Sequence, residues 1–293
     1  MHASPAMETL GRTIPRDQLY HHSPSMDHHN KDKPKNKGDN LMLTVTGLPN
    51  DLDEYVDYSA IAQAEGLKFA IEHFRRRKPH CSGTLFWQLN DCWPGLSWSV
   101  LDYYGFGKAG YYYVRRTYSP ALASFKQLPD GAMELWITND TLHRVTGTIA
   151  VRLGTFAGEK IWEESCPVDV GPNDSHLVRG WLASRIEGGN ERYLWALSAS
   201  GLFPPSRQFF MAIKDLRRNP AQPEANVVPD GAHRLSVRLR ANQYSYFVHL
   251  VVPDETARYT DNYFGMEPDT ERTVVVENRG RQLAPAILKL GWR

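Results

Sequence analysis

The chain is short of cysteine, of net charge and of long apolar runs, and each shortage narrows what it can be. Cys81, Cys92 and Cys166 are its three cysteines. An odd number without metal-ligand spacing argues against a disulfide framework and favours a reducing compartment such as the cytoplasm, while leaving the compartment open. A formal net charge of +1 offers no general attraction to nucleic acid, a membrane surface or a polyanion. No apolar run approaches the ~20 residues of a membrane span. The opening Met1-His2-Ala3-Ser4-Pro5 lacks the basic and apolar regions of a signal peptide. It also lacks a recognisable first strand, so the expectation is a chain that begins inside a domain.

What is present is ordinary globular composition, with 293 residues, 41% hydrophobic and 23% charged, enough for two or three domains. Residues 1 to about 50 read as loop, with Lys31, Lys33, Lys35 and Lys37 alternating with Asp32, Pro34, Asn36 and Gly38 as a solvated stretch. From Leu52 to Arg77 the period becomes helical: Tyr58, Ile61, Leu67, Ala70, Ile71 and Phe74 share one side. Asp51 or Asp53 is positioned to cap this helix, and Arg75 to Lys78 end it before Pro79. Gly83 to Leu89 reads as a strand buried on both sides, and Lys108 to Tyr118 as another helix. Helix, buried strand, loop, helix is the rhythm of an α/β barrel or a doubly wound sheet.

Beyond Pro120 the pattern turns to short strands: Met133–Thr138, Thr146–Leu153, Lys160–Cys166, Arg192–Ser198 and Arg207–Ile213. Turn residues separate them at the spacing of a β-sandwich. Residues 215–232, containing Pro220, Pro223, Pro229 and Gly231, read as a linker. Leu235–Leu239, Tyr244–Val252 and Thr273–Val276 then alternate again, giving a second β-domain from about His233. The expected domains are therefore 1–119, 120–214 and 233–293, with the linker at 215–232.

One block carries the chemistry. Trp87, Trp93 and Trp98, three of eight tryptophans, are interleaved with Gln88, Asn90, Asp91 and Asp102 between Gly83 and Gly105. Indole faces beside amides and carboxylates suit the apolar face and hydroxyl rim of a sugar. Periodicity alone favours a plainer reading, a buried strand and a Pro/Gly turn with the tryptophans in the core.

The order Phe86 to Trp93, Ser97-Trp98-Ser99, Asp102 to Gly105, Tyr111 to Arg116 and Pro120 resembles the last barrel strand and helix of the β-mannosidases of glycoside hydrolase family 2. His28-His29-Asn30-Lys31 is similar to a loop of that family, and Gln63 to Gly66 with Arg75-Arg76 to its penultimate barrel helix. Thr260 to Phe264, with Pro268 and Arg272-Thr273-Val274, resembles its C-terminal β-domain. The resemblance implies a multidomain α/β plus all-β chain: the last strand–helix units of a (β/α)8 TIM barrel followed by immunoglobulin-like β-sandwich domains. It implies a retaining glycosidase acting on β-mannoside oligosaccharides, without a cofactor or a metal.

The two glutamates that such chemistry requires fall in family segments absent from this chain. Ser4-Pro5-Ala6-Met7-Glu8-Thr9-Leu10 resembles the text just after the nucleophile, so no catalytic residue is assigned. Both glutamates are expected in an N-terminal part upstream of Met1. Asn190-Glu191 spells the acid/base pair but follows Gly188-Gly189 in a turn and reads as a decoy.

The substrate-binding candidates are Trp87, Asn90, Asp91, Trp98, His28 and His29. For Asn90 and Asp91, turn capping is an equal alternative. Trp93 reads as core. His28 and His29, adjacent on an extended loop, should point apart and share no metal; with His21 and His22 nearby a zinc site stays possible, although no nearby carboxylate or cysteine completes a recognisable spacing. Two further readings stay open, a non-catalytic carbohydrate-binding or interaction module and a β-glucosaminidase or β-galactosidase on the same scaffold.

Overall fold

A computed structural model describes residues 2–219 and 221–293; Met1, and Pro220 of the expected linker, lie outside the described residues. The chain forms two compact units, one of Met1–Leu67, Phe86–Tyr113 and Asn219–Arg293, the other of Lys68–Leu85 and Val114–Arg218. No described helix is long and apolar enough to cross a membrane.

In the first unit, the opening fifty residues are not the loop that their composition predicts. They form helices α1 (Met7–Thr13), α2 (Pro24–His29) and α3 (Lys37–Val45). Helices this short are marginal in isolation and show too few turns for a period to stand out. Burial holds them: Leu10, Met26 and Met42 are each 1% exposed and pack with Ile14, Tyr55 and Leu96. Ser23 caps α2, its Oγ accepting the Met26 N–H at 3.2 Å, and Pro24 occupies the first turn.

Helix α4 (Leu52–Arg76) forms where the period predicts it, and Asp51 accepts the Glu54 N–H at 2.8 Å. Glu65 on α4 accepts the hydroxyls of Tyr113, at 3.1 Å, and Tyr246, at 2.9 Å. Helix α5 (Ala109–Thr117) matches the second expected helix.

The expected buried strand at Gly83–Leu89 is not observed. The segment has no ladder, and Leu85, Trp87 and Leu89 are 103%, 73% and 54% exposed. An apolar run becomes a buried strand only by pairing its N–H and C=O groups on both edges. Among the described residues no strand lies alongside this one.

The second unit contains a sandwich. One sheet has the order β1–β2–β5 and the other β4–β3–β6–β7. The strands are β1 (Ala121–Gln127), β2 (Met133–Asn139), β3 (Val145–Thr155), β4 (Lys160–Val170), β5 (Asp174–Trp181), β6 (Arg192–Leu197) and β7 (Ser206–Phe209). Between the sheets Phe125, Met133, Leu135, Ile137, Ile149, Val151 and Leu194 are all but sealed from solvent. Buried Arg75 fastens the end of α4 to this unit: it donates to the Thr117 carbonyl, to the Pro120 carbonyl at 3.4 Å and to Asp140 at 2.7 Å.

The C-terminal sandwich, in the first unit, pairs sheet β11–β13–β9–β8 with sheet β12–β10–β14. Its strands are β8 (Glu224–Pro229), β9 (Arg234–Ala241), β10 (Ser245–Val251), β11 (Arg258–Tyr259), β12 (Phe264–Met266), β13 (Thr270–Glu277) and β14 (Lys289–Gly291). Strand β8 lies inside the expected linker. Its Val227 and Val228 pair with Val237 and Ser236 of β9, so prolines at its margins mark an edge strand rather than a spacer. Asn262 is buried and clasps β10, donating to the Leu250 carbonyl and accepting its N–H, both at 2.8 Å. Asp261 binds Arg272 at 2.5 Å, and the Arg272 guanidinium lies 3.9 Å from the Phe264 ring centroid. The Thr260–Phe264 segment is thus a brace for this sandwich.

Leu135 is fully buried between the sheets of the first sandwich. Leu135→Ala is expected to cost about 2–5 kcal/mol in urea unfolding followed by tryptophan fluorescence. A loss below about 1 kcal/mol would show that this core is not packed as described.

Candidate functional site

The candidate residues separate into an exposed group and a buried anchor. Asp91 is the anchor. Its side chain is 0% exposed. Oδ1 accepts from Lys31 Nζ at 2.6 Å and Gln88 Nε2 at 3.1 Å, and Oδ2 accepts from Ser99 Oγ at 2.5 Å and from Ser97 Oγ. Burial works against the charge, but the hydrogen bonds from Lys31, Ser97 and Ser99, with the nearby Lys108 ammonium, outweigh it. They hold the Asp91 carboxyl below the usual carboxylate range. With every partner drawn from the protein, Asp91 is not available as the sugar contact expected of it; it shapes the loop instead.

Two other buried groups support that loop. Lys108 donates to the Ala3 carbonyl at 3.2 Å, and burial pushes its ammonium down to about 8 despite Asp91 and Asp102 nearby. Asp102 closes the following turn by accepting the N–H groups of Tyr104, Gly105 and Phe106 at 3.0–3.1 Å. Its other oxygen accepts from Thr9 Oγ1 at 2.5 Å.

Backbone bridges tie the segments together. Lys31 N–H donates to Leu96 and Leu96 N–H to His29, at 3.2 and 3.0 Å, while Ala3 and Ser97 exchange bonds at 2.9 and 3.2 Å. Gly95 is needed at this crossing, because a Cβ there would collide with the His29 carbonyl oxygen.

The histidines do not behave as an extended pair. They end helix α2, and their rings meet edge-on at 5.5 Å. His29 stacks on Trp93 at 4.9 Å with 16° between the planes, and His28 meets the same indole edge-on at 6.1 Å. Trp93 is therefore not core; it is 44% exposed. Trp98 is half-buried against the edge of His2 at 5.0 Å. Trp87 and Asn90 face solvent. The structure thus gathers His28, His29 and Trp93 into one aromatic cluster, seats Asp91 beneath the loop, and leaves Trp87 and Asn90 outward.

The first unit also holds a cavity of about 520 Å³ lined by Asp57, Tyr112, His249, Tyr259, Tyr263 and Arg293, among others, and by none of the six candidates. Asp57 pairs with Arg293 at 2.5 Å, with His249 Nε2 4.0 Å away. Burial raises the Asp57 carboxyl above its usual range, against the pull of His249 and Arg293. These residues come from distant stretches of chain, so no local spacing announces them.

Two families match the sandwiches: residues 131–185 a mannosidase Ig/CBM-like domain, and residues 221–289 an Ig-fold domain of the mannosidase type. Fold and matches together define a chain with the immunoglobulin-type domains of mannosidases. β-Mannosidase B of Neosartorya fischeri is 27% identical over 208 residues, 64% of this chain and 25% of its own length. The Emericella nidulans β-mannosidase B is 31% identical over 169 residues, 52% of this chain and 20% of its own.

Among solved structures, the β-D-mannosidase of Dictyoglomus thermophilum superposes with a TM-score of 0.90 at 25% identity. That match covers 100% of this chain and 36% of that one. The exo-chitosanase of Amycolatopsis orientalis, with a TM-score of 0.72 at 16% identity over 99% of this chain and 40% of its own, shares the fold alone. The chain is β-mannosidase-like and resembles a C-terminal part of these glycoside hydrolase family 2 proteins. It spans about a quarter or less of the curated relatives named here.

The Asp91 anchor has a pH signature. A carboxyl depressed on folding contributes stability that is fully present above its unfolded value of about 3.9 and lost as pH falls through the lower folded value. Wild-type and Asp91→Asn stabilities, measured by urea unfolding, should differ by a constant amount from pH 7 to 5 and converge below about pH 4. A difference unchanged down to pH 3 would contradict the assignment.

Proposed function

We infer that these residues belong to a β-mannosidase, a retaining exo-glycosidase releasing terminal β-D-mannose from oligosaccharides and glycoconjugates, and that they supply one wall of its sugar site. In this reading residues 1–119 are the last part of a (β/α)8 barrel, and 120–214 and 221–293, the latter including strand β8, are the sandwiches behind it. The observation that carries it is the segment Leu85–Leu89. Its apolar side chains alternate outward and its backbone lacks a ladder, as a barrel strand would without its neighbours. The likeness to the Dictyoglomus thermophilum β-D-mannosidase over the full chain supports the same reading.

Trp87 then stands at the carboxyl end of a barrel strand, where barrel enzymes gather their sites, and offers its indole face to the sugar ring. Asn90, also exposed, provides donors and an acceptor for hydroxyls. His28, His29 and Trp93 supply a second aromatic cluster, and Trp98 packs on His2. Asp91 holds the loop in place.

The chemistry itself needs two carboxyl groups about 5–5.5 Å apart, one as nucleophile and one as acid then base. This chain contains neither family segment. Glu191 sits in an exposed turn, paired with Arg217 at 3.6 Å, and has no part in that chemistry.

A second reading, a non-catalytic carbohydrate-binding module, draws on the exposed indoles of Trp87, at 73%, and Trp93, at 44%. One set of assays separates the readings. The longer enzyme carrying these residues should cleave an aryl β-mannoside in preference to the β-glucosaminide and β-galactoside, while the purified 293-residue chain hydrolyses none of them. Turnover by the 293-residue chain, or preference for another sugar by the longer one, would overturn the proposal. Saturable mannose binding by the chain with no activity in the longer protein would favour the module.

A further inference from the structure

Away from the tryptophan block, the N-terminal helices bring two imidazoles and a carboxylate to one point. His21 Nε2 lies 3.1 Å from Asp39 Oδ1, and His22 Nε2 lies 2.6 Å from Asp39 Oδ2. One donor atom from each of the three residues falls within 4.8 Å of the other two. Neighbouring residues on extended chain send their side chains to opposite faces. His22 instead adopts φ +60°, a left-handed conformation uncommon for a residue with a Cβ. Its ring stacks on that of His21 at 4.0 Å with 29° between the planes. Tyr55 of α4 backs His21 from 4.0 Å. Asp39 is supplied by α3, 17 residues along the chain from His22.

The ring nitrogens are arranged as ligands. His22 Nδ1 is 2.9 Å from Asp27 Oδ1. A carboxylate on one ring nitrogen fixes the imidazole's orientation and directs the other nitrogen, the outer-shell device found at metal-bound histidines. His21 Nε2 is sealed from solvent and, although close to Asp39, has no well-formed hydrogen bond. A cation between the rings and the carboxylate would satisfy that nitrogen. A tetrahedral ion with N and O donors at about 2.0–2.1 Å spaces them ~3.4 Å apart. The observed 2.6 and 3.1 Å pairs are hydrogen-bond distances, so an ion entering in place of the proton opens them toward that spacing, within the 4.8 Å span of the three donors.

We propose that His21, His22 and Asp39 bind one divalent first-row transition ion of the zinc class, with Asp27 orienting His22 and water completing the shell. Two imidazoles and one carboxylate are a borderline donor set that suits such ions better than Ca²⁺ or Mg²⁺. The site stands on its own residues and does not depend on the glycosidase reading.

The test is titration calorimetry of Zn²⁺ into the full 293-residue chain carrying Cys81→Ser and Cys92→Ser, which silences the two thiols that are not buried. One equivalent should bind. His22→Ala and the near-isosteric Asp39→Asn should each weaken binding at least about tenfold, as should Asp27→Asn through the second shell. His28→Ala with His29→Ala should leave it unchanged. Circular dichroism confirms that each variant folds.

Co²⁺ added to the same Cys81→Ser, Cys92→Ser chain gives a spectroscopic readout of the ligand set: visible d–d bands without a strong near-ultraviolet thiolate band. Absence of saturable Zn²⁺ binding, undiminished binding by Asp39→Asn, or a cobalt–thiolate band would each overturn the proposal.

Discussion

The loop that presents the aromatic surface is built around one buried charge. Removing a carboxylate from water costs several kcal/mol unless its lone pairs are met. Asp91 meets that cost only where Lys31, Ser97 and Ser99 converge on it. Convergence requires the stretch after α2 to run beside the turn at residues 93–99, and the bridges at Leu96 and Ser97 follow from it. Once those strands of chain are fixed, His29 lies flat on Trp93 and Gly95 fills the one place where a side chain cannot go. The aromatic surface is a consequence of satisfying a carboxylate that never touches solvent.

The sandwiches follow different rules. Several of their strands alternate inward and outward while β1 and β10 are buried along most of their length, and their cores are almost wholly aliphatic and aromatic. Polar exceptions in them are braces. Asn262 clasps both groups of Leu250, and Trp181 donates to Glu164 at 2.9 Å. Such bonds return to buried polar groups what water would have supplied. The polar run Asp261-Asn262-Tyr263 is therefore explained by the sandwich it holds together.

Legibility in the sequence tracked how local each cause is. Helix α4 was readable because its apolar residues recur for 25 residues, and strands β3 and β4 because each carries branched residues, although their pairing was not. Strand β1, Ala121–Gln127, hides among small side chains, and β5 because most of it faces solvent. The short helices α1 to α3 owe their form to Leu10, Met26 and Met42 packing on residues far along the chain. At the site, Trp87 and Asn90 could be named from residue type, but the burial of Asp91 could not, since Lys31 reaches it across 60 residues. The apolar run at 83–89 misled in the opposite direction: its composition is that of a buried strand, while its surroundings lack the partners that would bury it.

The outward indole of Trp87 is where sequence, fold likeness and exposure meet, so it carries the central claim that this chain forms one wall of a β-mannoside site. The most direct test is kcat/KM for an aryl β-mannoside measured on the longer enzyme with Trp87→Ala. Loss of an aromatic platform of this kind should cost on the order of 1.4 kcal/mol, about a tenfold fall in kcat/KM, with the unfolding midpoint unchanged because the ring is exposed. An unaltered kcat/KM in a folded variant would contradict the account.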